Sequence, residues 1–280
     1  MKQQSLLGAA AFALALTLGA CDNNIDEQDR FIPVEDTHTE RVVLIEEFTG
    51  TRCPNCPTGA ERIAALHEYH GNKVIPVSLF PDQPKALTKP WDVDLRTTVA
   101  SDIFNQYNKD NALPAAMFNR VSNDGAVLST SMTLWSNYVS NILEDENDTY
   151  APADITLTPN YNPETRNLTV QYNCFFTKDI NEDVSFQVYI LENGIVGTQS
   201  TSTAKDNNYV FNHVLRTALN GTWGKDFGGG HLVGESVEGT AGVTLDESWE
   251  ADNIQVVGFL CYTGGNRTVL HAALVESITK

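Results

Sequence analysis

Positive charge is scarce in this chain: 18 Lys and Arg stand against 36 Asp and Glu, a formal net charge of −18. A surface this acidic repels phosphate backbones, and no basic patch interrupts it, so a nucleic-acid-binding function is excluded. Apolar runs long enough to span a bilayer are also missing. The one candidate, Leu6 to Ala20, is shorter than the roughly 20 residues that a membrane-spanning helix needs. Cysteine is sparse, and the five present are an odd number, so they cannot all lie in internal disulfides. No internal repeat is visible. What the chain does have is core material: 280 residues, 41% hydrophobic and 9% aromatic, are enough for two ordinary domains and argue against global disorder.

The odd cysteine is explained at the N-terminus. Lys2 precedes the uncharged Leu- and Ala-rich run, which suits the h-region of a secretory signal. The run ends in Leu18-Gly19-Ala20-Cys21, which resembles a bacterial lipobox. The resemblance implies cleavage of residues 1–20 and a lipid on Cys21 that fastens the protein to a membrane. Between Cys21 and residue 40, Asp22, Asp26, Glu27, Asp29, Glu35, Asp36 and Glu40 face Arg30 alone. Residues 21–40 therefore read as a solvated acidic tether. Acidic residues just after the lipidated cysteine also resemble a surface-export signal, loosely, since Asn23, Asn24 and Ile25 interrupt them. The periplasmic face and the cell surface both stay open.

Two folded parts are expected beyond the tether. In residues 41–148, the buried run 41–48, a helix from Cys53 to His70 and the strand Lys73 to Phe80 make a βαβ unit with a parallel strand pair. Pro81 to Pro90 reads as loop and Asp94 to Asn108 as helix. Leu113 to Val121 and Ala126 to Ser129 read as a hairpin around Asn123-Asp124-Gly125, and Ser131 to Leu143 as a last helix. In residues 149–280 the texture changes. Leu168, Val170 and Tyr172, and then Val184, Phe186, Val188 and Ile190, read as alternating with polar residues, and Gly264-Gly265-Asn266 marks a hairpin. That pattern predicts an antiparallel β-sandwich, with residues 194–250 mostly loop and a short helix around His213 to Leu219.

Cys53-Pro54-Asn55-Cys56 is the segment richest in chemistry. Residues i and i+3 at a helix start share a face, so the two sulfurs can join without backbone movement. The helix N-terminus and Arg52 both favour a Cys53 thiolate able to attack disulfides, with Cys56 resolving the mixed disulfide. One C-x-x-C supplies only two of the four ligands of a structural zinc site. His67 and His70 point away along the helix, so no metal or other cofactor is expected. A purely structural disulfide fits the same spacing. Cys174 and Cys261, both in expected strands, either bridge or stay buried as small hydrophobes.

These residues resemble the thioredoxin fold. The resemblance implies that Glu47, six positions before Cys53, relays protons to the resolving thiol, although thioredoxins carry Asp there. It also implies that Pro114, after Leu113, is a cis-proline facing the disulfide. Arg52 departs from the tryptophan usual at its position, which leaves the redox direction open. Over nearly the whole mature chain, the lipobox, Glu46-Glu47-Phe48-Thr49-Gly50 before the Cys pair, Asn212-His213-Val214-Leu215-Arg216 and Gly221-Thr222-Trp223-Gly224 resemble the twenty-eight-kilodalton-type outer-membrane lipoprotein family. That family implies a thioredoxin-like domain followed by a β-sandwich, lipid-anchored in an outer membrane.

Two functions follow as expectations. One is a membrane-anchored thiol–disulfide oxidoreductase acting on the thiols or disulfides of exported proteins. The other is a binding, adhesin or assembly lipoprotein with a structural disulfide, and a redox-regulated binder combines them. A ligand site at His213 and Arg216, one helical turn apart, or an aromatic platform of Trp223, Trp249 and Tyr262, competes with plain packing.

Overall fold

A computed structural model of the chain describes residues 39–146 and 150–280. The signal segment, Cys21 and nearly all of the tether lie outside the described residues. The apolar run after the tether forms β1 (Val43–Phe48), every residue of it buried. The chain breaks at Thr49-Gly50, and α1 (Cys56–His70) follows with Pro57 in its first turn, where a missing N–H has no intrahelical bond to lose. Gly71 ends it at φ 59°, a conformation that costs glycine nothing. β2 (Val74–Leu79) returns parallel to β1 with Val43 opposite Val74, as the βαβ reading requires.

The stretch Pro81–Pro90 is not loop throughout, because Lys85–Thr88 closes one helical turn (α2), with the Leu87 N–H bonded to the Pro84 carbonyl at 2.8 Å. α3 (Thr98–Tyr107) begins later than the expected Asp94, because the Thr97 hydroxyl caps it by accepting from the Ala100 amide. β3 (Ala115–Phe118) and β4 (Leu128–Ser129) form the expected antiparallel hairpin, and α4 (Trp135–Leu143) follows.

The second half is almost all strand: β5 (Ala153–Asn162), β6 (Asn167–Phe176), β7 (Val184–Glu192), β8 (Ile195–Ser200), β9 (Lys205–Phe211), β10 (Val214–Ala218), β11 (Lys225–Gly228), β12 (Ser236–Thr244), β13 (Ile254–Tyr262) and β14 (Val269–Val275). Residues 194–250 are thus not mainly loop, and the helix expected around His213 to Leu219 is a strand. Its short apolar run fits either period, and pairing between β2 and β7 decides the matter in favour of strand.

The architecture is α/β, with few helices and one large mixed sheet. Its nine strands run β14-β13-β7-β10-β2-β1-β3-β4, with β11 also paired to β7. The sheet therefore passes from the first half of the chain into the second through β2 and β10, where the Ser78 N–H donates to His213 O at 2.8 Å. β5, β6 and β12 form a separate three-stranded sheet, and β8 with β9 a two-stranded one.

The core explains a misleading pattern in β7. Its Val184, Phe186, Val188 and Ile190 meet Leu168, Val170, Tyr172 and Phe176 of the three-stranded sheet. The residues between them are buried as well, because Tyr189 and Leu191 pack with Ala100, Ile103 and Phe104 of α3 on the opposite face. Where β1, β2 and β3 run, α1 and α4 cover the face opposite α3, with Trp135, Tyr138 and Val139 against Val43, Ile45 and Phe118. The strand 167–176 keeps a true two-faced alternation, with Asn167, Thr169 and Gln171 in water.

Candidate functional site

The loop Thr49–Asn55 carries the chain from the end of β1 to the start of α1, and it folds on its own backbone. The Cys53 amide donates to Gly50 O at 3.0 Å and the Cys56 amide to Cys53 O at 3.3 Å. These turns bring Cys53 and Cys56 to a Cα–Cα separation of 5.4 Å, and the two sulfurs form a disulfide. No side chain caps the start of α1. Both cysteines are buried, at 1% and 2% exposure.

Glu47, near the end of β1, is the acid of this site. It is 2% exposed, its Oε1 has no hydrogen-bond partner, and burial pushes the carboxyl up to about 8. It shares a void of about 30 Å³ with Cys56, Pro57, Gln199 and Tyr209. An adjoining cavity of about 190 Å³ is lined by Glu47, Glu61, Ser78, Tyr209 and His213. The Leu113–Pro114 peptide is cis. Gly59 fits between these groups: a Cβ there would run into Glu47 Oε1 and lie 3.1 Å from Pro114 Cβ and 3.3 Å from the Trp135 ring. Gly59→Ala is expected to cost about 1–3 kcal/mol of stability by overpacking, measured by denaturant unfolding, and to shift the titration of Glu47.

Arg52 does not simply face the cysteines. Its Nε donates to Lys89 O at 2.7 Å and its Nη2 to Pro90 O at 3.1 Å, and its guanidinium lies 3.6 Å from the Trp91 ring centroid. It clamps the loop after α2 beside the disulfide. The remaining neighbours come from far along the chain. Gln199 Nε2 donates to Cys53 O at 3.0 Å and Gly50 O at 3.3 Å, and the Ser200 amide donates to Thr51 O at 2.8 Å. Sequence reasoning passed over Gln199, Asp92, Trp91 and Tyr209, since no local spacing announces a contact across about a hundred residues or more. The β-branched and aromatic run Tyr209-Val210-Phe211 signals a strand, but not where that strand lies.

Other expected groupings are dispersed. Cys174 and Cys261 do not bridge: both are buried free thiols, Cys174 in the core between the sheets and Cys261 on the opposite face of the large sheet. Burial pushes the Cys174 thiol far above its usual range, and Cys261 Sγ sits 3.4 Å from Ser185 Oγ. His213 and Arg216 are not a pair on a helix face. His213 Nδ1 meets Gln255 Oε1 at 3.2 Å, whereas Arg216 bonds Glu192 at 3.3 Å and lies over Trp249. Trp249 and Tyr262 pack on the core between the sheets and Trp223 on the other face, so no three-ring platform forms. His67 Nδ1 lies 2.7 Å from Val74 O, at the far end of α1 from the cysteines. Among the described residues no helix is long and apolar enough to cross a membrane, and no three His, Cys, Asp or Glu are placed to hold a metal ion.

Fold and site together define an α/β protein built on one large mixed sheet, with a disulfide-forming C-x-x-C at a helix start and a buried carboxyl beside it. Residues 101–277 match the family described as outer membrane protein Omp28, and the chain belongs to that family. The match leaves the cysteine loop outside its bounds. Among solved structures, HBP35 of Porphyromonas gingivalis superposes with a TM-score of 0.68 at 19% identity, over 85% of this chain and 76% of that one. A crystal structure of an Agrobacterium tumefaciens protein follows with TM-score 0.53 at 12% identity, over 85% and 95%. A domain of the outer membrane lipoprotein Omp28 from Porphyromonas gingivalis aligns at 20% identity over 45% of this chain and 88% of that domain, with TM-score 0.33. No curated protein matches the sequence.

Proposed function

We propose that this outer-membrane family member is a lipid-anchored thiol–disulfide oxidoreductase, held to the membrane through Cys21. On this reading residues 41–148 are a thioredoxin-like domain, and residues 149–280 contribute a β-sandwich to the body. The observation that carries it is the Glu47 carboxyl, buried without a partner on the same void as Cys56 and holding its proton up to about pH 8. A structural disulfide has no use for such a group, whereas a resolving thiol needs a proton acceptor beside it.

In the reduced protein, the Cys53 thiolate attacks a client disulfide, forms a mixed disulfide and expels one client thiolate. Cys56 passes its proton to Glu47, attacks Cys53 Sγ, expels the second client thiolate and closes the Cys53–Cys56 bond. Two electrons pass to the client, and a dithiol reductant resets the pair. The reverse sequence oxidises a client dithiol, and the reduction potential sets the direction. Pro114, against Gly59 and near Glu47, borders the place where the client chain lies.

The near-complete burial of both sulfurs favours a second reading, in which the disulfide is structural and the protein binds a partner. The recognising surface would then be the outer face of the three-stranded sheet, where Thr156, Thr158, Gln171, Asn173, Glu238 and Thr240 line a polar depression. Equilibration with glutathione separates the two. An exchange pair is expected at a potential between about −270 and −120 mV, and Cys53→Ser should abolish turnover. A potential below about −300 mV with an inert Cys53 would sink the enzyme reading.

A further inference from the structure

One element from the second half of the chain bonds directly to the loop that carries the Cys pair. β8 and β9 form a two-stranded sheet that hydrogen-bonds into neither larger sheet. An isolated hairpin is only marginally stable in water, so this one is held by its anchors. At its base, Phe211 packs on Phe80 and Leu95, with Ile195 alongside. Toward its tip the anchors are polar. The Asp92 carboxylate accepts from the Thr198 amide at 3.0 and 3.1 Å and from its hydroxyl at 2.7 Å. Gln199 and Ser200 bond the carbonyls of Gly50, Thr51 and Cys53, and Lys205 lies over the Trp91 ring that Arg52 also covers. Gly197 lets this strand approach the Val93 side chain, which a Cβ would strike. The outer side is unsupported: the cross-strand pair Val196 and Val210 is 56% and 48% exposed.

We propose that Thr198–Lys205 is the tip of a strap lying in the client's place, and that the clients are extended polypeptide segments able to displace it. The reason is chemical. Of the three backbone carbonyls next to Cys53 that accept from the strap, Gly50 O and Cys53 O also accept from the Cys53 and Cys56 amides, so opening strips each of one donor and leaves Thr51 O with none, places that the N–H donors of an incoming chain fill. An extended chain carries such donors along its backbone. A small thiol such as dithiothreitol has no row of backbone N–H groups, and a compact folded surface cannot enter beneath the strap. With the strap open, a client thiolate attacks Cys53 Sγ and the client–Cys53 bond forms. The Cys53–Cys56 bond breaks, and Cys56 leaves with its electron pair and takes the Glu47 proton.

This inference rests on the exchange reading above, and one experiment separates their failures. The oxidised body of the protein is reduced with dithiothreitol, which ends as its own cyclic disulfide, and the same rate is measured for the double variant Asp92→Ala with Gln199→Ala. The strap predicts reduction at least tenfold faster in the variant, with faster amide exchange at Thr198 and Ser200. Faster exchange with an unchanged reduction rate overturns it. Should the variant fail to fold, the unaltered protein decides in dilute urea. The reduction rate should then rise with the same shallow slope as exchange at Ser200. No slope at all, or the slope of global unfolding, overturns the strap. Fast reduction of the variant without turnover of either an unfolded or a folded disulfide-bearing protein removes the exchange reading and leaves the strap standing. Turnover of folded and unfolded clients alike removes the extended-segment assignment.

Discussion

Replacing Glu46 by alanine is expected to destabilise the protein by about 3–5 kcal/mol, measured as a fall in the urea midpoint at unchanged slope. Glu46 receives Arg120 Nε at 2.6 Å and Nη2 at 2.7 Å, and neither side chain is more than 2% exposed. The Tyr189 hydroxyl from β7 donates to the same carboxylate at 3.4 Å, and the guanidinium lies near the rings of Tyr107 and Phe259. The pair joins β1 to the turn after β3, and Tyr189 and Phe259 bring the second half of the chain against it. Removing the carboxylate leaves a guanidinium that cannot shed its charge, with little water to replace the lost partner. Replacing both members by apolar residues of similar volume should recover most of the loss. The gap between the single and the double variant therefore measures the stranded charge rather than the worth of the pair. A single variant within 1 kcal/mol of the parent would mean that water reaches the site.

Glu47 is expected to make the oxidised protein less stable as pH rises. Its carboxyl titrates near 8 when folded, against 4.5 for an unperturbed glutamate. Below pH 4.5 both states hold the proton and the group has no effect on stability. Between 4.5 and 8 the unfolded chain has lost the proton that the native state still holds, so each unit of pH favours unfolding; above 8 the loss is complete. Between pH 5 and 7.5 the change is on the order of 3 kcal/mol. Glu47→Gln removes the titration, so the stability difference between variant and parent should widen in the variant's favour over that interval. Measured at several pH values, a constant difference would place Glu47 in contact with water. The same substitution should slow the resolving step and remove the inflection near pH 8 from the exchange rate.

Several elements were legible because their signals are local. β1, α1 and β2 follow from an apolar run, a Cys-Pro start and a glycine stop, all within about 40 residues, and the hairpins at Asn123-Asp124-Gly125 and Gly264-Gly265-Asn266 follow from turn chemistry. The Cys pair was legible for the same reason, whereas Glu47 came only through the resemblance to thioredoxins, which carry a carboxylate six positions before the first cysteine. β10 was misread because a five-residue run is too short to show its period, and its identity comes from pairing with β2 and β7. The two faces of β7 were half misread, because Ser185 and Gln187 look like a solvent side, yet Ser185 meets Cys261 of β13 and Gln187 donates to the Gly221 and Thr222 carbonyls between β10 and β11.

By itself the sequence determined the acidic character of the chain, its α/β start and strand-rich end, and a cysteine pair spaced for a disulfide. Each of these depends on composition or on neighbours a few residues apart. Only the tertiary structure decided that one sheet runs through both halves, that Arg120 finds Glu46, that Cys174 and Cys261 stay apart, and that Gln199 closes over Cys53. These contacts join residues some 70 to 150 positions apart. Spacing along the chain carries no information about them, because such pairs meet only when burial of the intervening strands brings them together.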